Sequence, residues 1–339
     1  MFSRDSFKQT DNNPENKYDT STVNHSNPGN TTEEHVKYGF IGLGVLGSRL
    51  ARNLLDAGID LMVFDLNDDA VQLAVKSGAT TAESIHQLAG QVDTLMTCLP
   101  SPQASSLVME GENAALSALK PGSTWIEVST TEVTEIKRLA ELAAERGIKT
   151  LECPATGGIH RAARGKMTLL VGGEESLFET HRPLLEKMSG QIVYMGELGN
   201  ASLIKVISNL LCLVDLVATG EALMLAKRGG LDLGKCYEAI TASSGSSREF
   251  EDWAPVILNG SLNTGFTTNL GLKDLGFVTE LGRNLDVPLR LTNLVENMFK
   301  ESREKYGGDA WTPHVIKMME DATGEELRAP GFPDVIPPH

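Results

Sequence analysis

The sequence predicts a doubly wound parallel α/β sheet, followed by a long helix and an all-α C-terminal domain. Over residues 37–198, short apolar runs alternate with amphipathic helical patterns, which is typical of a parallel sheet covered by helices on both faces. One long helical pattern then covers residues 200–228, and only helix-like segments and loops follow, to about residue 325. These observations divide the chain into a sheet-containing part and a helical part.

Two domains are expected in this chain of 339 residues, since domains usually span about 100–200 residues, and the composition adds an extension before them and a tail after them. Residues 1–36 are polar, rich in Asn, Thr and Ser and without apolar periodicity, so a disordered extension is predicted. Residues 37–198 are expected to form the sheet domain and residues 199–326 the helical domain. The proline-containing end, residues 327–339, is predicted to be an extended tail.

Seven strands are predicted from the apolar runs, and the helices between them from their end signals. Gly58 and Gly78 stand where C-terminal glycines of helices are found. Residues Ser129–Glu132 have the form of a capping box that begins a further helix. The predicted strands are Tyr38–Leu43, Leu61–Asp65, Thr94–Leu99, Thr124–Val128, Thr150–Cys153, Thr168–Val171 and Ile192–Tyr194.

The composition argues against two classes of partner. Acidic residues number 45 against 30 basic ones, which gives a formal charge of −15. Because this excess repels phosphate backbones and anionic lipid headgroups, neither a nucleic acid nor a membrane is expected as a partner. The most apolar stretch, residues 206–219, is interrupted by Asn209 and Asp215, so it is not expected to span a membrane.

The cysteines and the first residues favour a cytoplasmic protein. Four cysteines without C-x-x-C spacing do not make a disulfide framework in a chain of this length, so reduced thiols are expected. No targeting segment is recognised, since a secretory signal has a basic start followed by an apolar stretch. The seven histidines lack metal-ligand spacing, and no metal is expected.

A glycine-rich turn follows the first predicted strand. Gly42, Gly44 and Gly47 form a G-x-G-x-x-G pattern that opens an amphipathic helix. In a dinucleotide site of the Rossmann type, the first glycine permits the tight turn and the second lets the backbone approach a pyrophosphate. The third allows close packing of helix on strand. An ordinary tight turn is the alternative, but strand, turn and helix together favour dinucleotide binding.

Asp65 ends the second predicted strand, eighteen residues after Gly47. A carboxylate at this position binds ribose hydroxyls and repels the 2′-phosphate of NADP, and residues 66–69 contain no Arg that compensates. NAD is therefore the expected cofactor, with NADP as the alternative.

Two further groups of residues indicate a place for a small acid. Thr156, Gly157 and Gly158 follow a predicted strand and suit a carboxylate, although an ordinary strand-to-helix turn fits them equally well. Lys205 and Asn209 are four residues apart and share one face of the long helix. That face is mostly apolar, and desolvation lowers the pKa of a lysine toward the range of proton exchange. A lysine that reaches solvent from a core helix is the alternative.

These motifs, in this order over about residues 37–325, resemble those of the β-hydroxyacid dehydrogenase family. Residues Gly39–Leu54 are similar to the family's cofactor signature. The other similar segments are Leu99-Pro100 and Ser129-Thr130 (cofactor loops), Pro154–Gly158 (substrate signature), Gly199–Asn209 (catalytic-lysine segment) and Leu272–Leu275 (an element whose lysine lies near the cofactor). Thr156 stands in place of the usual serine, and Glu152-Cys153 in place of the usual Asp-Ala.

The resemblance implies a reaction and a set of roles. Hydride passes between NAD and a 3-hydroxy acid, which becomes an aldehyde or keto acid, while Lys205 exchanges a proton and Asn209 holds the substrate. The substrate carboxylate is held by Thr156, Gly157 and Gly158. A homodimer or homotetramer is implied. The implied cofactor-binding residues are Gly42, Leu43, Gly44, Val45, Leu46, Gly47, Asp65, Leu99, Pro100, Thr130 and Lys273.

Two residues and two other functions stay open. Arg248, in a polar loop of the helical domain, is a candidate to bind a second acid group or a neighbouring subunit. His160 is a rival acid–base, although the basic run His160–Lys166 is more typical of a solvated helix face. An imine or phosphogluconate-type reductase of the same architecture is one alternative function; imine reductases generally lack the lysine. A non-catalytic dinucleotide-binding protein is the other.

Overall fold

The structure, a computed structural model, describes residues 37–332. The predicted disordered extension and residues 333–339 of the predicted tail lie outside this range. The strands within it are β1 (Tyr38–Ile41), β2 (Leu61–Phe64), β3 (Thr80–Thr81), β4 (Thr94–Thr97), β5 (Thr124–Glu127), β6 (Lys149–Glu152), β7 (Ala155–Thr156), β8 (Thr168–Val171) and β9 (Gln191–Tyr194).

The helices of the same range mostly alternate with the strands as far as β9, and no strand follows β9 in this range. They are α1 (Gly47–Asp56), α2 (Asp68–Lys76), α3 (Ile85–Gln91), α4 (Pro102–Met109), α5 (Ala115–Ala118), α6 (Val133–Ala144), α7 (Gly158–Ala162), α8 (Glu175–Leu185), α9 (Asn200–Arg228), α10 (Leu233–Thr241), α11 (Arg248–Leu258), α12 (Thr268–Asn284), α13 (Arg290–Tyr306) and α14 (His314–Thr323).

The main sheet has six parallel strands in the order β3-β2-β1-β4-β5-β6. Its strands are buried on both faces, because successive residues enter different core clusters. Phe40, Met96 and Ile126 belong to one cluster, whereas Ile41, Leu95 and Trp125 belong to the other. This alternation is the two-residue period of a strand covered by helices on both sides. The predicted doubly wound sheet is thereby confirmed.

The strand order reverses at β1, which lies between β2 and β4. In an open parallel sheet, such a reversal leaves a crevice at the carboxyl ends of the two strands that flank it. The glycine-rich turn follows β1 and the segment Cys98-Leu99 follows β4, so both lie at this crevice.

The last two predicted strands do not join the main sheet. With β7 they form a separate three-stranded sheet, in which β7 and β8 are antiparallel and β8 and β9 are parallel. A single bridge between Glu152 and Gly172 connects β6 to the start of this second sheet. Apolar periodicity predicts that a segment is a strand, but it does not determine its partner. It also misses β3 and β7, which have two residues each.

The predicted capping box is wrong. Helix α6 begins at Val133, and its N-cap residue Glu132 makes no side-chain capping hydrogen bond. The hydroxyl of Ser129 instead accepts a hydrogen bond from the backbone N–H of Leu99, at 2.7 Å. A tertiary contact thus uses the group that the local pattern assigned to the helix.

Helix α9 has the 29 residues that the sequence predicts and is the central helix of the helical part. It packs against α10, α11, α12, α13 and α14, which together enclose a second apolar core. Within residues 37–332, α9 is the one helix whose length and composition match those of a membrane-spanning helix, with a mean hydropathy of 1.9 over 18 residues. Its buried face is explained by the five helices packed on it.

Candidate active site

The glycine-rich turn depends on glycine at two positions. Gly42 has a φ of +98°, and a Cβ there would lie 2.3 Å from the carbonyl oxygen of Cys98. A Cβ on Gly47 would lie 2.0 Å from the carbonyl oxygen of Gly42. Both distances are far below van der Waals contact, so any side chain would push α1 away from β1 and β4.

The outer side of the same turn is open. Gly44 is exposed, with no atom within 4 Å of the place a Cβ would occupy, and the next residue, Val45, is 48% exposed. Helix α1 has no side-chain cap at Leu46 and no acidic residue in its first turn. The N–H groups of Ser48 and Arg49 donate to the carbonyls of Gly44 and Leu46, so the part of this positive helix end that is open to an anion lies at Val45 and Leu46. This arrangement fits the pyrophosphate of a dinucleotide.

Asp65 is fixed against the turn from the neighbouring strand. Its Oδ2 accepts a hydrogen bond from the backbone N–H of Leu43 at 2.5 Å, and its Oδ1 accepts one from Asn67 at 2.7 Å. Each carboxylate oxygen can accept a further hydrogen bond. The half-buried carboxylate is thus held where it can bind the hydroxyls of a ribose.

The two predicted cofactor loops are tied together by a buried glutamate that the sequence analysis missed. Glu127, at the end of β5, is 1% exposed. Its Oε1 accepts a hydrogen bond from the N–H of Ser129 at 2.8 Å, and its Oε2 accepts one from the hydroxyl of Ser105 at 3.0 Å. Ser129 in turn binds Leu99, and the exposed Pro100 follows. Burial raises the pKa of Glu127. The sequence feature that could have identified Glu127 is a charged residue inside an otherwise apolar strand.

Lys205 and Asn209 contact each other and are linked through α12 to a predicted cofactor loop. Lys205 Nζ donates a hydrogen bond to Asn209 Oδ1 at 3.0 Å, and Asn209 Nδ2 donates one to Asp274 Oδ2 at 2.6 Å. Lys273 Nζ lies 3.3 Å from Asp274 Oδ1 and donates a hydrogen bond to the carbonyl of Thr130 at 3.1 Å. An unbroken series of polar contacts therefore runs from Lys205 to the Thr130 loop.

The Lys205 amine lies in a desolvated environment. Lys205 is 7% exposed and Asp274 2% exposed, so the alternative of a lysine that reaches solvent is wrong. Burial lowers the pKa of Lys205, and the positive charge of Lys273 acts in the same direction, whereas Asp274 opposes them. A lysine with a lowered pKa can both accept and return a proton. Asp274 was missed by the sequence analysis, which took only Lys273 from the Leu272–Leu275 motif.

The predicted substrate turn lies beside the helical part. Thr156 ends β7 and is half-buried, while Gly157 and Gly158 have φ values of +119° and +78°. Two consecutive left-handed residues are accessible to glycine at little cost. Helix α7 follows the turn, and its Ile159 packs against Gly265, where a Cβ would lie 2.2 Å from the isoleucine Cδ1.

Two family models match this chain, one over the sheet-containing part and one over the helical part. Residues 37–196 match the family described as the NAD binding domain of 6-phosphogluconate dehydrogenase. Residues 199–319 match the family described as NAD-binding of NADP-dependent 3-hydroxyisobutyrate dehydrogenase. The 2-(hydroxymethyl)glutarate dehydrogenase of Eubacterium barkeri is 34% identical over 293 residues, which are 86% of this chain and 97% of that relative. The chain belongs to the β-hydroxyacid dehydrogenase family.

Two further relatives support this membership. The L-threonate dehydrogenase of Cupriavidus necator is 32% identical over 273 residues, 80% of this chain and 92% of that relative. The structure of Mycobacterium tuberculosis 3-hydroxyisobutyrate dehydrogenase with L-serine has a TM-score of 0.76 and 27% identity, and covers 84% of this chain and 99% of that one. This dehydrogenase is therefore an NAD(P)-dependent oxidoreductase that acts on CH–OH groups of hydroxy acids.

A second buried glutamate of this dehydrogenase holds the helix that carries Lys205. Glu152, at the end of β6, is 0% exposed. Its Oε1 accepts hydrogen bonds from the N–H groups of Gly199 and Ala201, at 2.5 and 2.9 Å, and its Oε2 binds Ser202. It thereby caps the N-terminus of α9, five residues before Lys205. The sequence analysis noted Glu152 only as a departure from the family pattern.

The remaining candidates from the sequence are Arg248 and the basic run His160–Lys166. Arg248, the first residue of α11, is exposed, its side chain makes no hydrogen bond or ion pair within residues 37–332, and its role stays a prediction. The prediction of a solvated basic face is wrong for His160 and Arg161, which face Asp252 of α11. It holds for Arg164 and Lys166, which are exposed. Over the same range, no three His, Cys, Asp or Glu side chains form a group that could hold a metal ion.

Proposed function

We propose that this dehydrogenase interconverts a small 3-hydroxy acid and its semialdehyde, with Lys205 as general acid and base and NAD as the preferred cofactor. The reaction type is that of a 3-hydroxyisobutyrate dehydrogenase or a 2-hydroxy-3-oxopropionate reductase. One observation carries the proposal. The contacts from Lys205 through Asn209, Asp274 and Lys273 to Thr130 join the proton-exchanging amine to a cofactor loop.

In the oxidative direction, the hydroxyl carbon of the substrate loses a hydride and the hydroxyl oxygen loses a proton, so that a carbonyl forms. The bound dinucleotide supplies the hydride acceptor. Lys205 accepts the proton as a neutral amine, and in the reductive direction it returns the proton as an ammonium. Asn209 fixes the amine through its carbonyl and keeps one N–H free for the substrate oxygen. Thr156 and the N–H groups of Gly157 and Gly158 hold the carboxylate.

The preference for NAD rests on Asp65. Its carboxylate stands beside the turn, where the 2′-phosphate of NADP would bring two further negative charges. The following residue, Leu66, is 91% exposed and cannot compensate that repulsion.

We also propose a homodimer or homotetramer in the cytoplasm. The face of α9 opposite the helical core exposes Ile207, Leu211 and Leu225 at 39%, 59% and 75%. These residues are four and fourteen positions apart, so they lie along one side of the helix. A second copy that presents the same face would cover all of them, as in a two-fold symmetric interface. Four free cysteines and a net charge of −15 are consistent with a reduced compartment.

The first test follows the absorbance of the reduced nicotinamide. The protein is mixed with NADH or NADPH and with the semialdehyde of malonate, methylmalonate or tartronate. We expect NADH oxidation with at least one of them, and a loss of about 10²–10⁴ in kcat for Lys205→Ala with cofactor binding retained. Lys235→Ala is the matched control, because Lys235 is exposed on α10.

Two outcomes would favour the alternatives. Cofactor binding without turnover of any hydroxy acid or semialdehyde would favour a non-catalytic dinucleotide-binding protein. Turnover of a cyclic imine that survives Lys205→Ala would favour an imine reductase. Light scattering tests the assembly, with Leu211→Glu expected to give monomers and Leu107→Glu, exposed on α4, expected to leave the mass unchanged.

A further inference from the structure

Three polar side chains come together where α7 lies against α11. No hydrogen bond forms between them. His160 Nε2 and Arg161 NH2 each lie 3.9 Å from Asp252 Oδ2. The side chains are 15%, 25% and 8% exposed, in that order. His160 Nε2 is buried and has no hydrogen-bond partner among residues 37–332. The cluster is therefore polar, largely desolvated and incompletely satisfied.

The spacing of the three groups suits an oxygen atom placed between them. A separation of 3.9 Å is too long for a direct hydrogen bond, and a buried polar atom without a partner costs about 1–3 kcal/mol. An oxygen atom about 2.8 Å from each of the three groups would satisfy them together. Water can supply that oxygen, and so can a hydroxyl group of a bound ligand.

The cluster stands over the predicted substrate turn. The Cδ of Arg161 lies 3.1 Å from the position of a Cβ on Gly157, and the ring of His160 lies 2.9 Å from that on Gly158. In an acid whose carboxylate is bound by these two glycines, C2 is the carbon bonded to that carboxylate, and its substituents are within reach of the side chains that flank the turn. A substituent on C2 is thus the part of the substrate that the cluster would contact.

A hydroxyl is the substituent that matches the three groups. It can donate a hydrogen bond to Asp252, accept one from Arg161 and complete the hydrogen bonding of His160. A methyl group offers no hydrogen bond and would leave the Nε2 of His160 without a partner. A second carboxylate would add a negative charge beside Asp252, whose charge Arg161 already balances.

We propose that His160, Arg161 and Asp252 form a subsite for a hydroxyl on C2, so that the preferred substrate is a 3-hydroxy acid with a further hydroxyl group. The proposal rests on the proposed function, since the acid must bind at the Gly157-Gly158 turn. It makes these residues determinants of specificity, while the reaction itself still depends on Lys205.

Two acids of nearly equal size provide the test. Glycerate carries a hydroxyl on C2 where 3-hydroxyisobutyrate carries a methyl group, and both enantiomers of each are assayed with NAD. We expect kcat/KM for glycerate to exceed that for 3-hydroxyisobutyrate by at least about tenfold, because a site built to bind a hydroxyl rejects the analogue without it.

His160→Phe removes the ring nitrogens while keeping a ring over Gly158. We expect it to lower kcat/KM for glycerate about tenfold and to leave that for 3-hydroxyisobutyrate nearly unchanged, so the ratio approaches one. His86→Phe, on the exposed side of α3, is the matched control and should keep the ratio. Asp252→Asn leaves Arg161 without its counter-charge, and it should raise kcat/KM for a dicarboxylate such as 2-(hydroxymethyl)glutarate relative to glycerate.

Preference of the unmodified protein for 3-hydroxyisobutyrate or the dicarboxylate overturns the subsite but not the proposed function. An equal loss on both acids in His160→Phe also overturns it, because the cluster would then only pack α7 on α11. If neither acid is turned over, the proposed function fails for this pair, and calorimetry on the NAD-saturated protein decides the subsite. If glycerate binds no more tightly than 3-hydroxyisobutyrate in the calorimetry experiment, the proposed subsite is overturned.

Discussion

Glu152 accepts two hydrogen bonds from Ser202, one from its backbone N–H at 3.0 Å and one from its hydroxyl. Ser202 stands three residues before Lys205 on α9, and Glu152 stands four residues before Thr156. One buried carboxylate thus connects the helix that carries the proposed acid–base to the turn that is proposed to bind the substrate.

Replacement of Glu152 by Gln is expected to destabilise the protein and to slow the reaction. The amide keeps one acceptor oxygen, but its NH₂ group faces N–H donors at the start of α9, and the charge that favours a helix N-terminus is lost. We expect the free energy of unfolding to fall by about 2 kcal/mol. We expect kcat to fall about tenfold, since the position of Lys205 relative to the substrate depends on this cap.

Urea unfolding and steady-state kinetics measure the two effects of Glu152→Gln. Glu145→Gln, at the exposed end of α6, is the control and should change neither. An unchanged kcat in a destabilised Glu152→Gln protein would show that the cap stabilises the fold without positioning Lys205.

The pH dependence of oxidation is expected to report on Lys205. The neutral amine accepts the substrate proton, so kcat should rise as the pH increases through the pKa of Lys205. Because burial lowers that pKa from its ordinary value of 10.5, the rise should come below pH 10.5. Asp274 acts in the opposite direction and raises this pKa, so Asp274→Asn should move the rise to still lower pH.

Profiles of kcat against pH for the unmodified protein, Asp274→Asn and Asp309→Asn test this expectation. Asp309 is exposed, and its replacement should leave the midpoint in place. A midpoint that moves to higher pH in Asp274→Asn would contradict the assignment of this titration to Lys205.

Glu127 is expected to make stability fall with rising pH. Burial raises its pKa in the folded state, whereas an unfolded chain releases the proton near the ordinary value of 4.5. From about pH 4.5 up to the raised pKa, the folded state therefore binds more protons than the unfolded state, and the free energy of unfolding decreases. In Glu127→Gln, the amide oxygen can still accept the hydrogen bond from the N–H of Ser129, the NH₂ group can donate to the hydroxyl of Ser105, and this decrease should be absent.

Unfolding in urea at intervals from pH 4.5 to pH 8 compares the two proteins. Glu145→Gln again serves as the control, and it should follow the unmodified protein. Parallel curves for the unmodified protein and Glu127→Gln would mean that another group causes the pH dependence.

Asp65→Asn is expected to change the choice of cofactor. The amide oxygen can still accept the hydrogen bond from Leu43, so the turn keeps its support while the negative charge is removed. We expect the ratio of kcat/KM with NADPH to that with NADH to increase about tenfold, as loss of one repulsive charge near a phosphate is worth on the order of 1–2 kcal/mol.

Asp69→Asn is the matched control for the cofactor prediction. Asp69 lies in the same region, in the first turn of α2, but it is exposed and does not contact the glycine turn. A preference for NADPH in the unmodified protein would show that the role assigned to Asp65 is wrong.

The sequence by itself determined the longer strands, the long helix and the need for glycine in the predicted cofactor turn. The seven predicted strands and the 29-residue helix follow from apolar periodicity, which reflects which side of each element is buried. Glycine at positions 42 and 47 follows from the turn itself, because Gly42 has a φ of +98° and a side chain on Gly47 would strike the carbonyl oxygen of Gly42.

Only the tertiary structure decided which residues surround Lys205. Asp274 reaches Asn209 from 65 residues away, and Glu152 reaches Ser202 from 50 residues away. The capping box at Ser129 was wrong because its hydroxyl binds Leu99 of another loop instead of the helix that follows. In the same way, His160 and Arg161 face Asp252, although their own segment is typical of a solvated helix face. Such pairs depend on how distant elements pack, and the spacing of residues along one element carries no information about the element that will lie against it.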